Sequence, residues 1–128
     1  MKLRILLAVL AIALLGSCRT APIFNVSGAP VVVAAGKQAT MENVTAAINR
    51  AGKMLGWQMS ETAPGVIAAH IELRTHTADA EVRYDTKTYS ITYRSSTNLD
   101  AQGDQIHKNY NGWIENLDRG IRTELSLI

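Results

Sequence analysis

The chain has 128 residues, of which 47% are hydrophobic and 19% charged, and its formal net charge is +2. This composition fits one globular domain and excludes a collagen-like or generically disordered chain, while the single cysteine excludes an internal disulfide framework. Lys2 and Arg4 account for the whole excess of positive charge, so the chain after residue 17 is formally neutral. A neutral chain lacks the basic surface that nucleic-acid binding requires, and we expect no nucleic-acid partner.

Residues 1–17 have the pattern of a secretory signal peptide. Lys2 and Arg4 precede the uncharged apolar run Ile5–Leu15, which is followed by the small residues Gly16 and Ser17. As a helix this run would cover about 16 Å, roughly half of a ~30 Å hydrocarbon core. The segment is therefore predicted to be a cleaved leader and not a permanent membrane span.

The end of this segment, Leu15-Gly16-Ser17-Cys18, resembles the lipobox of bacterial lipoproteins. In that family the cysteine becomes the new N-terminus and carries diacylglycerol and a further acyl chain such as palmitate. The resemblance implies lipidation of Cys18, with membrane lipid as a partner. Arg19 in place of an aspartate at the next position implies the periplasmic face of the outer membrane. An ordinary cleaved signal, or an intermolecular disulfide through Cys18, stays open as an alternative.

Residues 18–39 are predicted to be the lipidated cysteine and a partly ordered tether. Val31–Ala35 favours a short edge strand, and the apolar residues between 23 and 26 favour a second one. The chain breakers in this segment are Pro22, Gly28, Pro30 and Gly36. We expect the folded α+β domain to comprise residues 40–128.

A helix is predicted over residues 41–55. Thr40 is a suitable N-cap, Glu42 is an acid in the first turn, and Gly56 follows at the position where helices commonly end. Apolar residues recur at helical spacing. They are Val44, Ile48, Ala51 and Leu55.

Four runs then alternate apolar and polar residues with period two, which is typical of an antiparallel sheet with one buried face. The apolar sides are Trp57 and Met59; Ile67, Ala69, Ile71 and Leu73; Ala78, Ala80, Val82 and Tyr84; and Tyr89, Ile91 and Tyr93. A three-residue turn at 63–65 is predicted between the first two strands.

Two-residue loops at His76-Thr77 and Thr86-Lys87 would place all of these apolar side chains on one face. The first loop pairs Ile71 with Val82, and the second pairs Val82 with Ile91. Longer loops that differ from these by an even number of residues would also keep the apolar side chains on one face.

After a polar loop at 95–105, a long amphipathic helix is predicted from Ile106 onward, with Asp104 as its cap. Its apolar stripe comprises Tyr110, Trp113, Ile114, Leu117, Ile121 and Leu125. The predicted fold is an α+β two-layer sandwich, α-β-β-β-β-α, with a four-stranded antiparallel meander covered on one face by two helices. It looks like the helix-grip domains of some outer-membrane assembly lipoproteins, although topology alone carries no function.

Two further stretches resemble a family of small, uncharacterised proteobacterial lipoproteins. They are Tyr84–Tyr93, with the sequence YDTKTYSITY, and Ile106–Leu117, with the sequence IHKNYNGWIENL. The resemblance covers most of the chain after Cys18. It implies a place in the cell envelope, and it brings neither an activity nor catalytic residues.

Histidines, serines and carboxylates give no recognisable active-site pattern. His70 and His76 are six residues apart, about 20 Å along an extended strand, and cannot share a metal ion there. A row Arg74–Asp79–Arg94 beside one of these histidines is the only candidate for an enzyme. We predict no catalytic residue, no metal and no cofactor.

The leading hypothesis is a lipid-anchored, non-catalytic binding or accessory module that meets other envelope proteins. Its expected partner surface combines the polar sheet face with the start of the last helix. The residues are His70, Arg74, Arg83, Arg94, His107, Lys108, Asn109 and Asn111. The alternative is a carrier of a small ligand or lipid in an aromatic-lined groove between helices and sheet, which a buried pocket of about 300 Å³ or more would favour.

Overall fold

The computed structural model describes residues 19–128, so the predicted signal peptide and Cys18 lie outside the described residues. In chain order the elements are β1 (Thr20–Pro22), β2 (Val26–Pro30), α1 (Met41–Met54), β3 (Gln58–Ala63), β4 (Val66–Leu73), β5 (His76–Tyr84), β6 (Thr88–Thr97), β7 (Gln105–His107) and α2 (Lys108–Ser126). A five-stranded antiparallel sheet has the order β2-β6-β5-β4-β3, and β1 pairs with β7 in a small second sheet. Both helices pack on one face of the large sheet around a shared core, which confirms the α+β fold class.

Helix α1 begins and ends where its sequence signals predict. The Thr40 hydroxyl accepts the backbone N–H of Asn43, and the Asn43 side chain accepts the backbone N–H of Thr40, which satisfies two free donors of the first turn. The stripe of Val44, Ile48 and Ala51 is buried against the sheet. Leu55, predicted to complete the stripe, is the C-cap and is exposed.

A glycine inside α1 lets the helix approach the sheet closely. A Cβ at Gly52 would overlap the side chain of Met59 on the neighbouring strand β3. In α2, a Cβ at Gly120 would lie 3.3 Å from Leu55, whereas Gly112 has open space beside it. Two of the three helical glycines are therefore explained by packing between elements.

The predicted register is right for β5–β6 and wrong for β4–β5. Val82 pairs with Ile91, as predicted. Ile71 pairs with Ala78, however, because the β4–β5 loop is Arg74–Thr75 and not His76–Thr77. The slip is an even number of residues, so the same apolar side chains still face the core.

Contacts with the end of β6 explain why His76 and Thr77 belong to β5 and not to the loop. The His76 Nδ1 atom donates to the carbonyl oxygen of Asn98 over 2.6 Å. The hydroxyls of Thr77 and Thr97 are hydrogen bonded at 2.5 Å. The tight turn is made by Arg74, which adopts a left-handed conformation with φ 58°.

Strand β6 is longer than predicted and contains a bulge. It continues to Thr97, into the segment predicted to be a polar loop. Ala80 pairs with Tyr93 but Asp79 pairs with Ser95, so Arg94 is the extra residue. The bulge changes which charged side chains become neighbours on the outer face of the sheet.

The fifth strand of the large sheet comes from the predicted tether. It is β2, and the predicted strand Val31–Ala35 is wrong. Strand β2 pairs with β6 through a register shift next to Gly28, which has φ 61° and donates its N–H to the Ser90 hydroxyl. Residues 20–30 are thus paired with the strands of residues 88–107.

The boundaries at two turns also differ from prediction. His107 caps α2 in place of Asp104, and Ile106 is a fully buried residue of β7 and not the first helical residue. The β3–β4 hairpin has a two-residue turn, Pro64–Gly65, because Ala63 pairs directly with Val66. Gly65 has φ 75°, and a Cβ there would lie 2.7 Å from the carbonyl oxygen of Tyr84.

Candidate functional site

Glu81 is the centre of a charged cluster on the outer face of the large sheet. Its Oε1 atom accepts hydrogen bonds from Arg83 Nε and Arg94 Nη2, each over 2.6 Å. The carboxylate is mostly buried beneath the two guanidinium groups, whose side chains are more than half exposed. The hydrogen bonds from Arg94 and Arg83 hold the pKa of Glu81 below its ordinary value. Two predicted partner residues, Arg83 and Arg94, are therefore fixed by one acid, and we name these three residues the Glu81 cluster.

His70 forms a second cluster on the same face. Its Nδ1 atom lies 2.8 Å from Asp79 Oδ1 and its Nε2 atom 3.2 Å from Glu72 Oε1. The hydrogen bond with Asp79, followed by the one with Glu72, raises the pKa of His70. The other oxygen of Asp79 accepts the Ser95 hydroxyl over 3.1 Å.

These contacts overturn the predicted row Arg74–Asp79–Arg94. Asp79 binds His70 and Ser95, Arg94 binds Glu81, and Arg74 lies in the β4–β5 turn. The row was derived from a β4–β5 register that is four residues out, and from a β6 without a bulge. The polar side chains are on the predicted face but have different neighbours.

The start of α2 is used largely to hold the N-terminal segment. Asn111 Oδ1 accepts the backbone N–H of Phe24, and Asn111 Nδ2 donates to the carbonyl of Pro22, both over 2.9 Å. His107 Nδ1 accepts the backbone N–H of Asn109 over 3.1 Å and so caps the helix. Asn111 and His107 are structural in this arrangement, whereas the side chains of Lys108 and Asn109 are exposed.

A chain of contacts gathers three cationic residues at one end of the sheet. The N–H of Lys108 donates to the carbonyl of Arg19 over 3.0 Å, and the N–H of the preceding His107 donates to the carbonyl of Leu99 over 2.7 Å. Asn98, next to Leu99, donates its side chain to the hydroxyl of Thr75 over 2.7 Å, and Thr75 is the neighbour of Arg74. We name Arg19, Arg74 and Lys108 the basic end.

A buried acid on the sheet-facing side of α2, Asp118, was missed by sequence reasoning. Asp118 accepts the Tyr89 hydroxyl at Oδ1 and Arg122 Nη2 at Oδ2, each over 2.5 Å. Burial, and then the hydrogen bond with Asp118, raise the pKa of Tyr89. The available signal was a carboxylate four residues after Ile114 on the apolar stripe, with an arginine four residues further on. We name Tyr89, Asp118 and Arg122 the Asp118 cluster.

The layer between helices and sheet is filled by aromatic side chains. Trp57, Tyr89 and Tyr110 are 3% exposed or less, and Tyr93 packs edge-on against Tyr110 with ring centroids 5.3 Å apart. These side chains do not line an open groove of the kind that the carrier hypothesis expects.

An open cleft lies instead at the β3–β4 hairpin end of the domain. It has a volume of about 600 Å³ and lies between the start of α1 and the hairpin. The hydroxyls of Thr45 and Tyr84 are hydrogen bonded at 2.5 Å in its wall. The cleft also exposes the carboxylates of Glu42 and Glu61.

Within residues 19–128, no three His, Cys, Asp or Glu side chains are close enough to hold a metal ion. In the same range, neither helix combines the length and the apolar character that crossing a bilayer requires. Comparisons of the chain with protein-family models, with curated proteins and with solved structures give no significant match. The lipoprotein resemblance therefore stays a prediction.

Proposed function

We propose that this protein is a lipid-anchored accessory module of the bacterial envelope, which binds other envelope proteins and catalyses no reaction. The proposal combines the lipobox-like sequence ending at Cys18 with one structural observation. The residue that follows this cysteine is already part of the fold, since the carbonyl of Arg19 accepts a hydrogen bond from the N–H of Lys108 and β1 starts at Thr20. An acyl group on Cys18 would hold a structured domain directly at the membrane, on the periplasmic face of the outer membrane if Arg19 acts as the lipobox resemblance implies.

The outer face of the large sheet is the proposed partner surface. It presents the Glu81 cluster and the His70 contacts side by side, in fixed geometry and with both signs of charge. Mixed charges give specificity towards a partner with the complementary pattern more than they give raw affinity. The partner that fits is an envelope protein with its own alternating charges.

Acylation is tested by metabolic labelling of the full chain with an alkyne analogue of palmitate. We expect the wild-type protein to take up the label and to fractionate with the outer membrane. The Cys18→Ser variant should lose the label. Label that persists in Cys18→Ser, or an unmodified protein in the soluble fraction, would contradict the proposal.

The partner surface is tested with a photo-crosslinking amino acid at Thr92, an exposed residue that pairs with Glu81 on the outer face. The matched control is Thr123, an exposed residue of α2. We expect discrete protein adducts from position 92 in intact cells, none from position 123, and loss of the adducts in Arg83→Glu/Arg94→Glu. Absence of adducts from position 92 would count against this surface.

The second candidate, a carrier of a small ligand or lipid, is favoured only by the size of the cleft beside Thr45 and Tyr84, which is within the range of ligand pockets. Native mass spectrometry of the detergent-released protein tests it. A non-covalently bound small molecule that is lost when Thr45→Trp fills the cleft would favour the carrier. A mass equal to that of the protein alone, with no bound small molecule, would favour the accessory module.

A further inference from the structure

We propose that the basic end is a docking surface for the anionic phospholipid headgroups of the membrane to which the chain is anchored. The inference rests on the proposed function, because it takes Cys18 as the point of acylation. It adds the part of the domain that contacts the bilayer, the chemistry of the contact and the resulting orientation.

The first argument is the length of chain between anchor and fold. Cys18 is bonded to Arg19, and the carbonyl of Arg19 is already held by the N–H of Lys108. Consecutive Cα atoms are about 3.8 Å apart, so an acyl group on Cys18 would hold Arg19, and Lys108 bonded to it, close to the bilayer surface. A slack tether over residues 18–39 would have allowed any orientation, and the paired strands β1 and β2 remove that slack.

The second argument is charge. Arg50, Arg83, Arg94 and Arg122 each have a carboxylate partner. For the exposed cations of the basic end, as for Lys37, Lys53, Lys87 and Arg119, no ion pair is found among the described residues. The acids close to these contacts in sequence are Glu72, which binds His70, and Asp100 and Asp104. The cations of the basic end are thus not neutralised by a direct ion pair and are exposed to bind an anionic headgroup.

The third argument is the exposed leucine beside one of these cations. Leu73, the last residue of β4, is 47% exposed next to Arg74. An apolar side chain beside a long cation suits the boundary between headgroups and acyl chains, where the charge stays in the polar layer. Each basic residue near an anionic surface strengthens attachment about fivefold, the equivalent of about 1 kcal/mol.

Docking of the basic end fixes the direction in which the rest of the domain points. Strand β4 runs from the cleft end at Val66 to the basic end at Leu73, a length of about 25 Å for eight residues. The cleft beside Thr45 and Tyr84 would thus face away from the membrane. The outer face of the sheet would then be roughly perpendicular to the bilayer and accessible to envelope proteins.

The test uses the acylated protein in vesicles, with a fluorescent dye on a single engineered cysteine, since Cys18 is the only natural one. One dye is placed at Asn109→Cys beside Lys108, and the control dye at Ala63→Cys, an exposed residue of the opposite hairpin. A headgroup-linked quencher reports proximity to the bilayer. In vesicles of phosphatidylethanolamine and phosphatidylglycerol we expect strong quenching at 109 and weak quenching at 63.

Charge variants then identify the cause. Arg74→Asn, a residue that tolerates positive φ, and Lys108→Gln should each lower the ratio of docked to undocked protein about fivefold. Lys87→Gln, which removes an exposed cation in the β5–β6 turn, is the matched control and should leave the ratio unchanged. Phosphatidylcholine vesicles or high salt should abolish the difference between the two dyes.

Mass spectrometry of the same preparation separates the two possible failures. Equal quenching of both dyes on protein that carries the acyl mass would overturn the docking surface and leave the anchor intact. Protein without the acyl mass would overturn the proposed function, and with it the reason for placing this end at a membrane.

Discussion

Asp118 on the buried side of helix α2 and Glu81 on the open face of the sheet each bind two partners. The Asp118 cluster includes a tyrosine that is 1% exposed, whereas both partners of Glu81 are arginines more than half exposed to solvent. The bonds are alike in length, but of the three side chains compared only that of Tyr89 is buried, whereas both arginines that bind Glu81 already contact water. Burial of the group that binds the acid, more than the number of its hydrogen bonds, therefore decides how much each acid contributes to the free energy of unfolding.

The largest expected effect is that of Asp118→Ala. It leaves the buried Tyr89 hydroxyl without an acceptor, and we expect a loss of about 2–3 kcal/mol in the free energy of unfolding, measured by urea denaturation. The double variant with Tyr89→Phe should recover part of this loss, because it removes the unpaired hydroxyl as well. A loss below about 1 kcal/mol for Asp118→Ala would mean that water reaches Tyr89.

A smaller effect is expected for Tyr89→Phe alone. Asp118 loses the donor to Oδ1 in this variant, but its carboxylate stays paired with Arg122 through Oδ2. We expect a loss of about 1 kcal/mol in the same urea experiment. An effect as large as that of Asp118→Ala would show that the tyrosine, and not the acid, holds the cluster together.

For Glu81→Gln we expect a loss below about 1 kcal/mol, because both arginines are more than half exposed and can bind water in place of the carboxylate. The pKa of Glu81 is lowered in the fold, so its contribution is present above the unfolded-state pKa and is lost as the pH falls through the folded-state pKa. Urea denaturation in low and high salt checks the assignment, since the difference from wild type should shrink in high salt. A salt-independent loss of several kcal/mol would place Glu81 with the buried acid.

The smallest effect is the pH dependence due to His70. Its pKa is raised by Asp79 and Glu72, so its contribution is fully present below the unfolded-state pKa of 6.5 and is lost as the pH rises through the folded-state value. The wild type should therefore lose slightly more stability than His70→Gln between about pH 5 and about pH 9. The opposite sign in thermal melts at the two pH values would disprove these contacts.

The sheet shows how far an alternating sequence predicts structure. Alternation fixed which side chains of β4 and β5 face the core, but their pairing is four residues away from the predicted one. Burial of apolar side chains determines which residues of β4 and β5 face the core. Which residue of β4 pairs with which residue of β5 depends instead on the hydrogen bonds between His76 and Asn98 and between Thr77 and Thr97. The β5–β6 register is the predicted one, and its turn at 86–87 is closed locally by Asp85, whose side chain accepts the N–H groups of Lys87 and Thr88.

The sequence predicted which charged residues share the outer face of the sheet, but not which of them are hydrogen bonded to each other. His70, Arg83 and Arg94 lie on the outer face as expected, but Arg94 binds Glu81 and not the predicted Asp79, because the bulge at Arg94 leaves no mark in the alternation. Asn111 was assigned to a partner surface, and its amide is used instead by the backbone at Pro22 and Phe24. Such long-range pairings are set by tertiary structure, which local sequence does not encode.

The paired N-terminal strands have a consequence for the order in which the chain folds. Phe24 bonds to a residue 87 positions later, and Gly28 to one 62 positions later. Closing loops of that length costs more conformational entropy than forming the β3–β4, β4–β5 and β5–β6 hairpins, so we expect β1 and β2 to join after the meander. While the meander folds, residues 20–30 would then stay unpaired, and the edge of β6 that β2 later covers would be open to other chains.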